Sequence, residues 1–343
     1  MVVLLGHCTL VYGLPEQARR LIDIALNQRA AVLIFFVLSG YVLTYAWLRI
    51  CGEPRALYRF YVRRLFRLLP ALWVASLVAL VLLVAFPLGA EGSNLSQWLH
   101  DSYRQVAPGR AARSFLAIDN ALVPPTWTIT IEIFGSILVP FLVTGMKRRN
   151  LAILIVIALI AASVAFSELH SRASMLAFPL QFAAGCGLAL YFWKREPSAG
   201  YPAALAGLAL IFAARPLWWL LMTGSLQPIE YRTNAAAPAL LETAGAVLLI
   251  AALASHRFRS AVFEWRPMRA LGDWSYSIYL IHFPVLRILA YSIPPMQPVM
   301  ATLVLAVGTV AITCALAAMI FRFIEKPGIA IGKRVTRLSE RQA

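Results

Sequence analysis

Runs of about twenty consecutive apolar residues recur along this chain, and that recurrence limits its fold more than any motif does. A helix needs about 20 such residues to cross the hydrocarbon core of a bilayer. Ten candidate spans can be marked, roughly Met1–Gly13, Ala31–Leu48, Leu68–Leu88, Pro125–Met146, Leu151–Phe166, Ala173–Trp193, Tyr201–Leu221, Ala235–Ser255, Leu271–Ser292 and Gln297–Phe321. Composition agrees: 61% of the 343 residues are hydrophobic and 13% are charged, against about 45–50% and about a quarter in a soluble domain. A soluble globular enzyme and a disordered chain are excluded. The expectation is an all-α, polytopic transmembrane helical bundle of about ten spans. It forms one integral membrane domain over residues 1–343 with no fused soluble domain. The first span is short, has no basic leader, and reads as the outer half of a helix whose beginning is missing. Tyr201–Leu221 is weakened by Arg215 and Pro216.

The net charge of +16 would suggest nucleic acid in a soluble chain. Here topology accounts for most of it. Loops numbered alternately from the N-terminus divide the 31 Lys and Arg residues unevenly. One side receives twenty-one, in the loops around Arg49–Arg67, Lys147–Arg149, Lys194–Arg195 and Arg257–Arg269 and in the tail from Arg322 onwards. The other side receives nine, and Arg287 lies within a span. Lys and Arg concentrate in cytoplasmic loops, so both termini are expected in the cytoplasm, in a multi-pass protein of the inner (plasma) membrane. No nucleic-acid partner is expected. The longest outer loop, from about Gly89 to Pro124, carries Ser93, Asn94, Ser96, Gln97, His100, Asp101, Ser102 and Tyr103. It is either part of an acceptor surface or a solvated connector. Cys8, Cys51, Cys186 and Cys314 lie far apart, with no metal-ligand or disulfide-framework spacing.

Polar groups inside apolar spans are costly and are kept where they face a cavity or a partner. His7, Glu132, His282 and Glu325 stand out, with Arg287 as a fifth that can snorkel. His7 is either a structural histidine or a general base, the work imidazole suits near neutral pH. Glu132 follows Trp127 by more than one helical turn, and either holds a helix contact or orients a histidine. Ser275, Tyr279 and His282 share one helix face, with Tyr276 beside them, and this stripe must face helices or water. Glu325 and Pro327 are expected to end the last span at the inner surface. Arg63, Arg64 and Arg67 sit just before a span. Guanidinium groups grip phosphate well, so this cluster either holds a donor such as coenzyme A or anchors on anionic lipid. Ser39–Gly40 lies mid-span, where a small pair permits close helix approach or a break lining a cavity. Ser39 has no activating neighbour in sequence.

These blocks resemble, in order, those of the acyltransferase 3 family of integral membrane acyltransferases. His7 sits where the family has its first-helix histidine. FFVLSGY at Phe35–Tyr41 is similar to its FF-x-LSG block, and RRLFRLLP at Arg63–Pro70 to its Arg-Arg-x-x-Arg-x-x-Pro block. PPTWTITIEIFGSILVP, LGDWSYSIYLIHFPV and FIEKP resemble three further blocks. Members move an acyl group, commonly acetyl from acetyl-CoA, onto a hydroxyl of an envelope saccharide or a related acceptor. The resemblance implies His7, Glu132 and His282 as catalytic candidates and Arg63, Arg64 and Arg67 as donor-binding candidates. Ser39, Trp127, Ser275, Tyr276, Tyr279 and Glu325 are further polar site candidates. It implies no metal and no permanently bound cofactor, with acyl-CoA as donor substrate. The partners are the lipid bilayer, acyl-CoA and an envelope glycan or other hydroxyl acceptor. Two features depart from the pattern. Only six residues precede His7, where the family's arginine lies about ten ahead. Thr128 replaces the usual Ser, and Phe134–Gly135 replaces an aromatic pair. Two rival readings remain open at this point: a proton-coupled transporter of an envelope precursor, and an inactive structural partner should the short N-terminus be real.

Overall fold

The computed structural model describes residues 1–86, 95–102, 106–167, 169, 172–195, 197, 199–224, 235–255 and 261–341. The loop residues Ser93, Asn94 and Tyr103, and the basic residues Arg104, Arg232, Arg257 and Arg259, lie outside them. Helices follow in the order α1 (Val2–Cys8), α2 (Glu16–Leu26), α3 (Gln28–Leu48), α4 (Ala56–Ala85), α5 (Gln97–Asp101), α6 (Pro108–Ser114), α7 (Trp127–Met146) and α8 (Arg149–Phe166). There follow α9 (Pro179–Phe192), α10 (Tyr201–Thr223), α11 (Ala236–Leu253), α12 (Ala261–Glu264), α13 (Arg266–Ser292), α14 (Pro298–Ile320) and α15 (Lys326–Arg341). No strand occurs among the described residues beyond one isolated bridge, Tyr12 to Leu95. The all-α expectation holds.

Among the described residues eight helices are long and apolar enough to cross a membrane, against the expected count of about ten. The proposed Met1–Gly13 span is helical only over the seven residues of α1. The Leu271–Ser292 span is a full helix within α13, but its serines, tyrosines, His282 and Arg287 dilute its apolarity below that of the eight. The spans invert the pattern of a soluble protein. On α8, Ile153, Leu154, Ile157 and Val164 are exposed while Ser163 is buried. Lipid is as apolar as leucine, so helices associate through small and polar residues instead.

The chain divides into two compact units, one comprising Met1–Ile22, Tyr61–Thr130 and Ala261–Ala343, the other Asp23–Phe60 and Ile131–Ser260. In the second unit α3 packs on α9 and α11, and α10 on α11. Small residues make these approaches possible. A Cβ on Gly40 would run into the Phe182 carbonyl, and one on Gly185 into the Val37 carbonyl. A Cβ on Gly207 would lie 2.7 Å from the Gly245 oxygen, and the reverse distance is also 2.7 Å. Gly40 of the Ser39–Gly40 pair thus lies at a close helix approach, and Ser39 is buried.

Arg215 and Pro216 do not break their helix, since α10 runs unbroken to Thr223. The buried Arg215 guanidinium donates to both oxygens of Glu242, at 2.7 and 3.0 Å. Asn27 completes the site, donating from Nδ2 to Glu242 Oε1 at 3.0 Å and to the Ile211 carbonyl at 2.9 Å. Its Oδ1 accepts from the Ala30 amide and so caps α3.

In the first unit α13 packs on α14, and α1 rests on both. Leu4, Cys8, Phe283, Leu286, Leu305 and Ala317 belong to one buried core there. The end of the first segment is tied to the residues just before α5, the Ser96 amide donating to the Val11 carbonyl at 2.7 Å. Pro327 does not end the last helix. A π turn over Phe321–Glu325 joins α14 to α15, and the run continues to Arg341. Pro327 falls in the first turn of α15, where a missing N–H costs least. On α4, Pro70 cannot bond the carbonyl of Phe66 four residues back. Gly328 of α15 fills that place: a Cβ there would lie 2.7 Å from the Phe66 oxygen. Gly332 meets the Phe66 side chain one turn further on.

Candidate active site

α1 is apolar apart from His7, and the rest of the helix buries Leu4, Gly6 and Cys8. His7 thereby reaches α13, where it meets His282. His7 Nδ1 and His282 Nε2 are 3.0 Å apart. The two rings lie only 6° from parallel, so the bond runs nearly in their planes. The other nitrogen of His282, Nδ1, lies 2.7 Å from the Tyr279 carbonyl oxygen. A carbonyl only accepts, so that nitrogen carries the proton. In neutral His282, Nε2 is then an acceptor, and His7 Nδ1 is the donor. Neutral His7 is left with its lone pair on Nε2. One backbone carbonyl thus sets the tautomers of both rings in sequence, the way an orienting partner fixes a catalytic histidine.

Aromatic rings surround His7. Phe283 meets it edge-on at 5.7 Å between centroids, and Trp98 lies at 5.6 Å. Trp98 belongs to α5, in the loop expected to be either an acceptor surface or a connector. The loop continues past α6 to Asp119, which accepts from Arg110 at 3.0 and 3.1 Å. The Arg110 hydrogen bonds, outweighing burial, hold the Asp119 carboxyl below its ordinary range. Thr130 Oγ1 donates to the Ala117 carbonyl at 2.6 Å, fastening the loop to the start of α7.

Tyr279 is held through a relay with that helix start. Its hydroxyl donates to the Pro125 carbonyl at 2.6 Å and accepts from Thr128 at 2.7 Å. Thr128, the departure from the usual Ser, thus makes a hydroxyl bond of its own. Trp127 opens α7 beside it, half-buried. Six residues before His282 on α13, roughly 9 Å along the helix at a rise of about 1.5 Å per residue, Tyr276 donates to the Leu68 carbonyl at 2.7 Å. Ser277 there donates to Glu325 at 2.9 Å. Glu325 is buried in the π turn. Leu68 directly follows Arg67 on α4, so the Tyr276 bond sets the Arg64–Arg67 turn against α13. The Arg63 guanidinium donates from Nε to Thr336 of α15 at 3.0 Å.

The first unit therefore brings together His7, His282 and Tyr279, with Trp127 adjoining in sequence the Thr128 that bonds Tyr279, and one turn earlier on α13 it brings Tyr276 and Ser277 to the Arg64–Arg67 turn and Glu325. Ser39 and Glu132 belong to the second unit, and both are buried. Ser275 is exposed. The serine that bonds Glu325 is Ser277, which the face count passed over, because the buried side of α13 near its start includes Ser277 and Ile278 rather than Ser275. Trp98 was also missed, although a tryptophan in an otherwise polar loop was the available signal. Among the described residues no group of three or more His, Cys, Asp or Glu side chains converges as metal ligands.

Membrane-length helices that carry a hydrogen-bonded histidine pair define the class, a multi-pass membrane protein. The chain belongs to the acyltransferase family, whose acyltransferase-domain model matches residues 1–318. It is 30% identical over 327 residues to a putative peptidoglycan O-acetyltransferase, YrhL, of Bacillus subtilis, covering 86% of this chain and 49% of that protein. It is 28% identical over 335 residues to the peptidoglycan O-acetyltransferase OatA of Listeria monocytogenes, covering 86% and 50%. The chain thus spans about half the length of these curated relatives. No solved structure matches it.

Proposed function

We propose that this protein is a membrane O-acyltransferase that moves an acetyl group from acetyl-CoA to a hydroxyl of a cell-wall saccharide, peptidoglycan above all. The reading places it in the inner (plasma) membrane with both termini in the cytoplasm, as the basic loops suggest. The observation that carries it is the His7–His282 bond with its fixed proton direction. His7 Nε2 takes the proton of the acceptor hydroxyl as the oxygen attacks the thioester carbonyl. His282, accepting from Nδ1, holds the ring and steadies the imidazolium that forms. The tetrahedral intermediate collapses, the C–S bond breaks, and the proton on His7 passes to the departing thiolate. Acetyl ends on the acceptor oxygen, and free coenzyme A leaves.

Arg64 and Arg67 serve this reading as holders of the donor phosphates, with Tyr276 and Glu325 fixing that level of α13. The thioester end then extends along the helix toward the histidines. Trp98 offers a flat face on which a sugar ring can rest beside His7. Peptidoglycan as acceptor is supported by the names of the two relatives. Glu132 enters the proposal as a buried carboxyl on the helix that Trp127 opens, and its variant is to be read beside that of His7.

The test is thiol release from acetyl-CoA by the purified chain in lipid, with and without soluble peptidoglycan fragments. Release should depend on the fragments and fall about 10²–10⁴-fold in His7→Ala, the usual contribution of a general base. A folded His7→Ala protein that retains full acceptor-dependent release would overturn the role of His7.

A further inference from the structure

The second unit carries an open cavity of about 530 Å³ at its surface, within the size range of small-molecule sites. The C-terminal ends of three helices wall it. Cys51 comes from just past α3 and Lys147 from just past α7. Tyr191, Trp193, Lys194 and Arg195 come from the end of α9 and beyond, with two leucines completing the wall. No acidic side chain is among the lining residues, so three cations share one volume. Topology explains basic residues beside helix ends, and helix C-termini favour cations. Neither requires the cations to surround a space, and neither accounts for the aromatic wall. The Arg195 guanidinium lies over the Tyr191 ring at 4.5 Å, which fixes its plane against that wall.

We propose that this cavity binds a phosphate-bearing anion, its oxygens held by Lys147, Lys194 and Arg195 and its apolar part resting on Trp193 and Tyr191. An anionic phospholipid headgroup and a soluble phosphate ester share this chemistry. The wall favours the headgroup, because tryptophan and tyrosine sit at headgroup level and basic pockets between membrane helices hold anionic lipid. The site needs no assumption about acyl transfer.

Cys51 is a built-in reporter. It is exposed in the cavity wall, whereas Cys8 and Cys186 are buried. The full chain is placed in phosphatidylcholine nanodiscs, and modification of Cys51 by uncharged N-ethylmaleimide is followed by peptide mass spectrometry. One arm adds phosphatidylglycerol to the discs, and the other adds inorganic pyrophosphate to the buffer. A ligand at ten times its dissociation constant leaves about one site in eleven open, so modification slows about tenfold. Slowing by phosphatidylglycerol alone identifies a lipid headgroup, and slowing by pyrophosphate identifies a soluble ester. Either protection should vanish in the Lys147→Gln, Lys194→Gln, Arg195→Gln triple variant and persist in Lys147→Arg, Lys194→Arg. Continued silence of Cys8 and Cys186 certifies the fold, and single Lys→Gln variants, each losing part of the protection, serve if the triple variant fails that check. Absence of protection in both arms, or protection that survives loss of the charges, overturns the proposal.

Discussion

At the scale of single residues, the two imidazoles divide their work unequally. His282 spends one nitrogen on the Tyr279 carbonyl and the other on His7, and in the proposed mechanism it orients. In that mechanism Nε2 of His7 is the nitrogen that takes the substrate proton. His282→Phe should leave His7 Nδ1 without its acceptor and lower kcat about 10²-fold, with KM for the acceptor unchanged. His282→Gln, whose amide oxygen can accept, should recover part of the loss. Equal kcat for folded His282→Phe and the parent would remove His282 from the mechanism. Both histidines were legible in the sequence, because a titratable group in an apolar span needs a reason to be there. Their pairing was not, since 275 residues separate them and no periodicity records such a contact. Ser277 was missed for a related reason: helix geometry says which residues share a face, not which face the neighbours cover.

Among the elements, proline and charge act through their partners rather than through their reputation. Arg215 beside Pro216 reads as an interruption, yet α10 passes through because Glu242 neutralises the guanidinium within the same unit. Removing one member of a buried pair strands the other, at a cost of about 3–5 kcal/mol. Glu242→Gln should therefore lower thermal stability sharply in detergent, and an apolar replacement of both residues should recover much of it. A melting temperature for Glu242→Gln equal to the parent's would contradict this account. Similarly, Gly328→Val should push α15 from the Phe66 carbonyl and cost about 1–3 kcal/mol, the usual range for overpacking. Limited proteolysis would read that change as earlier release of the C-terminal helix. The sequence supplied the helices, and the small residues supplied their contacts. It misjudged the end at Pro327, where a wider turn changes the rules.

For the molecule as a whole, the bias of basic residues is a prediction about orientation. A reporter at the C-terminus should be reached only by reagents from the cytoplasmic side, whereas one beside Ser96, next to the His7 segment, should be reached only from outside. Impermeant thiol reagents on single-cysteine variants in intact cells check both. A C-terminus labelled from outside would reverse the assignment of every loop. The span count illustrates what composition can carry at this scale. Eight spans announce themselves by length and apolarity. The helix that holds His282, Tyr276 and Ser277 does not, because the residues that make it a site are those that make it a poor match to lipid.

The Pro70–Phe66–Gly328 contact bears on descent as well as on packing. A proline in one block leaves an oxygen exposed, and a residue without a side chain some 260 positions later covers it. Across relatives the two positions should therefore be inherited as a couple, with lineages that abandon the proline free to place a larger residue opposite. An alignment deep enough to count both states would reveal two distant motifs behaving as a single heritable character.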